Sequence, residues 1–251
     1  MRFIAALCVA LFFCNANAQS INFLDTTKTK VADCDFFVVK DTSGAISEQW
    51  FERNDKLEGV RTNFHATGFP AIMASYKNGK RNGSYLRIGK DGYVEEMMNY
   101  VDDVLDGVYR MYYKGARIDK EINYKNGVED GLRRVFYSDA DIQERAEMKK
   151  GKRNGRTTWY YKNGKIAVAY DYKNDEVNGI AKSYNEKGIL TSDGKFVDGK
   201  EQGIWKEYDE DGHLILEGNF NAGKKEGVWK GFDAQGIKIT QVVYKQGEIV
   251  K

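Results

Sequence analysis

Proline is nearly missing from this chain: Pro70 is the only one in 251 residues. Proline removes a backbone donor and interrupts central strands and helix interiors alike, so its scarcity leaves long hydrogen-bonded ladders unbroken. Histidine is almost as rare. His65 and His213 are the only two and stand far apart, which leaves histidine-based metal sites and histidine-centred catalysis without residues to build on. Cysteine occurs three times, at 8, 14 and 34. The first two fall in a segment with the composition of a secretory leader: Arg2, the apolar run Ile4 to Phe13, and the small-x-small pattern Ala16-Asn17-Ala18. A lipidated Cys14 is the alternative processing, and bulky Phe13 before it argues against that. Cleavage after Ala18 gives an exported chain (periplasmic, cell-surface or extracellular) that begins at Gln19 and keeps Cys34 alone. One thiol cannot staple a fold, so packing and backbone pairing must hold it. The leader run is also too short to span a bilayer. Charge of one sign is lacking too. The 39 Lys and Arg against 37 Asp and Glu give +2, falling to +1 without Arg2, and this gives no reason to expect nucleic acid as a partner.

What the chain has in quantity is glycine, and its glycines are periodic. Gly59, Gly83, Gly107, Gly131, Gly155, Gly179, Gly203 and Gly227 recur at intervals of 24 residues. Aromatic residues keep the same phase. Five residues after each of these anchors stand Phe64, Ile88, Tyr112, Phe136, Tyr160, Tyr184, Tyr208 and Phe232; seventeen after stand Tyr76, Tyr100, Tyr124, Met148, Tyr172, Phe196, Phe220 and Tyr244. Turn signals separate the two series. Lys162-Asn163-Gly164 and Glu186-Lys187-Gly188 mark one turn; Asn78-Gly79, Asn126-Gly127 and Asp198-Gly199 mark the other, with Asp55, Asp103 or Asp175 where glycine is missing. Such residues supply the positive φ of tight hairpin turns. The segments between them are rich in Tyr, Val, Ile and Trp and read as strands. The expected fold is therefore all-β: an elongated array of about eight antiparallel β-hairpins with a 24-residue period, forming a single twisted, meandering sheet. Residues 1–18 are the leader, 19–55 an N-terminal cap with a degenerate repeat, and 56–251 the repeat domain.

Alternation along the strands assigns faces. Positions 11, 15 and 17 after the anchor share one side and are mostly apolar, as in Leu214, Gly218 and Phe220. The first strand is expected to add its position-5 aromatic and a position-1 aliphatic such as Val108, Ile180, Ile204 or Val228. Even positions of three successive first strands, Tyr109, Met111, Tyr113, Val135, Tyr137, Trp159 and Tyr161, would then lie opposite this core, accompanied by Asp119, Glu121, Arg145 and Asp171. Two readings of that second face stand open: aromatics flanked by charge suit a contact surface, or the sheet curls and covers them. Tyr109, Tyr113, Tyr137, Trp159 and Tyr161 are the candidate binding residues, and the anchor glycines are expected to be structural.

The spacing Phe220-x-x-Gly223-Lys224-x-x-Gly227, with Gly218 two residues before the aromatic, resembles the MORN repeat. Tyr76-Lys77-Asn78-Gly79-Lys80-Arg81-Asn82-Gly83 shows the N-G-K-x-x-G form of its bacterial variant. The resemblance covers about residues 44 to 250. Trp205 and Trp229, where the eukaryotic pattern prefers a small residue, and Asp103 and Asp175, in place of glycine, favour the bacterial variant. It implies a sheet of hairpins used for binding, scaffolding or self-association. Some bacterial relatives are antitoxin-like partners of secreted toxins, and some eukaryotic ones are linked to anionic lipid.

No catalytic or cofactor constellation is legible. Carboxylate pairs such as Asp209 and Glu210 or Asp102 and Asp103 fall at turns, where Asp serves the local backbone. Outside leader and repeats only Gln19 to about Cys34 remains, too little for a catalytic domain. A row of turn lysines, Lys77, Lys125, Lys149, Lys173 and Lys245, reads as a solvated margin diluted by Asp106, Asp130 and Glu226, with anionic lipid or polymer as the other reading. The expected function is a non-enzymatic, secreted protein-binding or scaffold module, with toxin neutralisation as one form of it; the alternative is a carbohydrate- or envelope-binding module.

Overall fold

The computed structural model describes residues 20–23 and 26–250; the expected leader, 1–18, lies outside the described residues. The chain divides into two compact units between Gly92 and Tyr93. Every described element in both is a β-strand. In the first unit the strands run from Ser20–Phe23 to Lys80–Ile88, and in the second from Val94–Val101 to Glu248–Ile249. Within each unit, successive strands pair antiparallel in chain order, so each is a meander of hairpins. Pro70 opens its strand opposite Phe64, a place where the missing donor costs little.

Each repeat is one hairpin unit, as Lys152–Tyr160 followed by Ile166–Lys173 shows. The narrow turn to the next unit has two residues, both left-handed, as in Asn126 (φ 50°) and Gly127 (φ 80°). Where glycine is missing, Asp55, Asp103 and Asp175 take φ of 56°, 71° and 71°, the substitution that the short polar side chain of Asp tolerates. The period extends one unit below Gly59. Cys34–Lys40 and Ile46–Arg53 form a hairpin ended by Asn54-Asp55, with Phe37 stacked on Trp50 at 5.1 Å and Phe36 against Phe51 at 4.6 Å, the two rings tilted by 33°.

Two irregularities recur in each repeat and decide which side chains share a face. The first is a bulge of one residue beside the wide turn: Trp159 opposes Val168 but Tyr160 opposes Ile166, which leaves Ala167 as the extra residue. A one-residue shift exchanges the faces of everything beyond it. Residues directly opposite each other lie on one side of the sheet, so Tyr109 shares a face with Ile122, and Trp159 with Val168. The even positions of the first strands thus lie on the same face as positions 13, 15 and 17 of the second strands. This corrects the sequence expectation, which placed them opposite. Glu121, Arg145 and Asp171 are on the other face, across from Arg110, Arg134 and Arg156; Asp119 is itself the bulge residue opposite the Met111–Tyr112 step. The position-1 aliphatics are not core either. Ile180, Ile204 and Val228 are 45%, 63% and 43% exposed, and Val108 is half-buried.

The second irregularity lies at the anchor glycine, four residues into the first strand. Ala146 opposes Thr157 and Met148 opposes Arg153, so Asn154, Gly155 and Arg156 together face Glu147. Neighbouring polar side chains satisfy backbone groups there: the Asn99 and Asn123 amides donate to the Asp106 and Leu132 carbonyls at 2.7 Å, and Asp171 accepts from the Ile180 N–H at 3.1 Å.

Consecutive repeats are also stitched at both margins. At the narrow turns, the Gly127, Gly151 and Gly247 N–H groups donate to the Leu105, Glu129 and Lys225 carbonyls. The Glu58, Asp106, Asp130 and Glu226 carboxylates accept from the Asn78, Asn126, Lys150 and Gln246 N–H groups at 2.7–3.1 Å. At the wide turns the position-6 side chain reaches the position-5 carbonyl of the next repeat. Tyr113 donates to Phe136, Tyr137 to Tyr160 and Tyr161 to Tyr184, at 2.8–3.0 Å. His65 Nε2 makes the equivalent contact with Ile88 at 2.8 Å. Replacing Tyr113, Tyr137 and Tyr161 each by Phe removes three such straps while keeping the rings. We expect a loss of about 1 kcal/mol per strap in urea unfolding, and unchanged stability of the triple variant would show that water replaces the straps at no cost.

Candidate binding face

The face that carries the even positions holds a continuous aromatic ladder in the second unit. Trp159 meets Tyr170 and Tyr172, Tyr170 meets Phe196, and contact then passes through Trp205, Phe220 and Trp229 to Tyr244, with centroids 5.0–6.3 Å apart. Most pairs are near perpendicular, up to 88° for Phe196 on Trp205, the edge-to-face geometry that aromatic quadrupoles favour. Tyr109 begins a separate contact with Tyr124 at 6.2 Å.

Size alternation along the row makes this packing possible. Tyr109, Ile122, Arg133, Ala146, Thr157, Tyr170, Ala181 and Gly194 are successive cross-strand partners. Where the row reaches the two tryptophans, the neighbours shrink to glycine. A Cβ on Gly194 would stand 1.9 Å from the Trp205 ring, and one on Gly218 2.0 Å from the Trp229 ring. Trp229 also donates its indole N–H to the Asn219 carbonyl at 3.1 Å. The sequence carries this signal as a tryptophan with a glycine eleven residues before it, twice.

Cations lie over the ladder at two places. The Arg153 guanidinium is 5.9 Å from the Trp159 ring and 5.8 Å from Tyr172 and holds Glu144 at 3.1 Å; Lys225 Nζ is 4.1 Å from Trp229 and 5.3 Å from Tyr244. Burial pushes the Tyr124 and Tyr172 phenols above their ordinary range, and nearby Arg153 opposes this at Tyr172. Of the candidate residues, Tyr109 and Trp159 belong to ring contacts on this face. Tyr113, Tyr137 and Tyr161 border it, half-buried, with their hydroxyls engaged in the inter-repeat straps. Burial is also the main reason the Tyr113 phenol is raised, which keeps it a donor. All eight anchor glycines have positive φ.

The opposite face is laddered by charge at mid-strand and, beside the wide turns, carries the position-5 aromatics against the position-11 aliphatics, as in Tyr112 with Ile118 and Tyr208 with Leu214; the sequence expectation had placed these aromatics with Gly218 and Phe220. Arg110 and Arg134 both reach Glu121, at 2.8 and 3.3 Å, Arg156 holds Asp171 at 2.9 Å and Lys206 holds Glu217 at 3.6 Å. Their carboxylates raise the Arg110 and Arg156 guanidinium values further. His213 sits in an exposed turn, where its backbone and ring contacts, with the Asp211 N–H, hold Asp209 below the usual carboxylate range.

Residues 153–174 and 201–222 match the MORN repeat variant. Both MORN matches begin two residues before an anchor glycine and end on the first residue of a narrow turn, Asn174 or Ala222. They lie two periods apart, so the match and the hairpin unit share one phase. No curated protein matches the chain. MORN repeats commonly bind proteins or membranes, and their all-β fold is typically a non-catalytic binding module.

Proposed function

We propose that the chain is an exported, non-catalytic module that binds a protein partner along the aromatic face of its second unit. The observation that carries this reading is the unbroken ladder of ring contacts from Trp159 to Tyr244 on one side of the sheet, whose other side is charged at mid-strand and carries its aromatics only beside the wide turns. Apart from buried Trp229 the ladder rings are half-buried, and Tyr and Trp accompanied by Arg are what protein interfaces use. A carbohydrate partner is less well served, because sugars stack on open ring faces. Here the rings meet edge-to-face and Arg153 and Lys225 lie over four of them. Toxin neutralisation is the narrower form of this proposal, and export rests on residues 1–18, with Gln19 as the first residue that the mass of the exported protein should show.

The test immobilises the 19–251 chain and captures partners from the producing cell's own envelope and medium. Tyr109→Ser with Trp159→Thr should weaken capture of any specific partner at least about tenfold, the loss of one or two interface anchors, with the β-type circular dichroism retained. Exchanging Lys206 and Glu217 on the other face should leave capture unchanged. Equal capture by the ring variant, or loss by the charge exchange alone, would move the site off this face.

A further inference from the structure

Five lysines gather at one narrow turn of the second unit and its two neighbours. Lys149 and Lys152 are direct cross-strand partners on either side of the turn Lys150-Gly151. Lys125 and Lys173 hold the Lys149 position in the repeats before and after. All five are exposed, and among the described residues none makes an ion pair. Like charges placed directly opposite oppose pairing.

The acids in reach are mostly engaged. Asp130 accepts from the Lys150 N–H at 3.1 Å and Asp175 from the Arg153 N–H at 2.7 Å, while Glu129 and Glu144 face Arg133 and Arg153 at 3.7 and 3.1 Å. A carboxylate that accepts an N–H bond keeps its charge, so Asp106 stands beside Lys125, and Asp175 and Glu176 beside Lys173; the lysine excess lies at the central turn, where Lys149, Lys150 and Lys152 meet Asp130 and Glu147. Lysine at 150 is also a poor local choice. Its φ is 50°, at a position that Asn54, Asn78, Asn126 and Asn174, Asp102 and Asp198, and also Ala222 and Gln246 fill in the other repeats, and that left-handed region suits Asn better than an unbranched cation. Guarding a sheet edge does not explain the cluster. Ile142–Lys149 and Lys152–Tyr160 are interior strands, each paired on both sides.

We propose that this turn cluster, Lys125, Lys149, Lys150, Lys152 and Lys173, binds a phosphate-bearing polyanion. Ammonium groups act as compact point charges suited to phosphate oxygens, whereas planar carboxylates call for the arginine fork, and both nearby arginines already face glutamates. Equivalent turns are two strand spacings apart, so the three span about 19 Å. That length fits a polymer rather than a single phosphate. The site is independent of the aromatic face.

The probe is long-chain inorganic polyphosphate on the 19–251 chain, with binding followed against salt; inorganic phosphate and vesicles containing phosphatidylglycerol are separate arms. Lys149→Gln, Lys150→Asn and Lys152→Gln together should weaken polyphosphate binding at least about tenfold and lower the log–log salt slope by about 2 to 3. Lys200→Gln, Lys224→Gln and Lys245→Gln remove the same charge elsewhere and should cost under about threefold by the same rule. Lys150→Asn alone should raise the melting temperature by about 2 °C while weakening binding. Equal losses in the two triple variants, binding to vesicles without polyphosphate, inorganic phosphate competing as well as the polymer, or Lys150→Asn stabilising with binding unchanged would each overturn the assignment.

Discussion

Gly218→Val should be among the most damaging single substitutions in this chain, costing about 3 kcal/mol or more, the upper end of what overpacking does. A Cβ there would stand 2.0 Å from the Trp229 ring, which is 2% exposed and clamped between Phe220 and Tyr244 with Lys225 over it. The indole cannot swing away without breaking both ring contacts and its hydrogen bond to Asn219. Close packing transmits such a displacement along the ladder rather than absorbing it. The double variant Gly218→Val with Trp229→Val should recover most of the loss, because volume is restored to the row. Urea unfolding of the two variants checks this: if the double variant is no more stable than the single one, the glycine is needed for some reason other than the tryptophan beside it.

The periodic signals that reported backbone geometry were legible in the sequence; those that depended on register were not. Two-residue turns announced themselves because Asn-Gly, Asp-Gly and Asn-Asp pairs are selected for one local conformation, and Asn54-Asp55, Asn78-Gly79 and Asn174-Asp175 adopt it. The all-β hairpin array followed from their spacing. Face assignment failed at a single recurring residue. The bulge opposite the Trp159–Tyr160 step inverts the parity between first and second strands, and a bulge at a wide turn leaves no mark in a pattern of alternation. With that inversion Trp159 joins the ladder, Tyr109 comes to the same face against Tyr124, and Ile180 and Ile204 pass to the exposed side. The strap role of Tyr113, Tyr137 and Tyr161 was equally hidden, since each hydroxyl reaches a main-chain carbonyl 23 residues on, to which no side chain points. The exchange between Trp205 and Gly194, by contrast, was written in the residues as a compensating size pair.

The anchor glycines should divide into two classes on substitution, although the sequence presents eight equivalent positions. Gly179 has φ 133° and Gly227 has φ 73°. The second value lies in the left-handed region that Asn enters at modest cost; the first lies in territory that only glycine occupies without strain of about 1–3 kcal/mol. Space divides them the same way. A Cβ on Gly179 would stand 2.7 Å from the Cβ of Asp171, whereas nothing lies within 4 Å of one on Gly227. The Asp171 carboxylate cannot retreat freely, because it accepts from the Ile180 N–H and holds the Arg156 guanidinium at 2.9 Å. Gly179→Asn should therefore combine backbone strain with loss of that clamp and cost about 3 kcal/mol or more, while Gly227→Asn should cost under about 1 kcal/mol. Thermal and urea unfolding of the two variants decide the matter. Equal losses would mean that the bulge relaxes to one conformation in every repeat. A larger loss at Gly227 would mean that the polar clamp at Asp171 does not set the shape of its bulge.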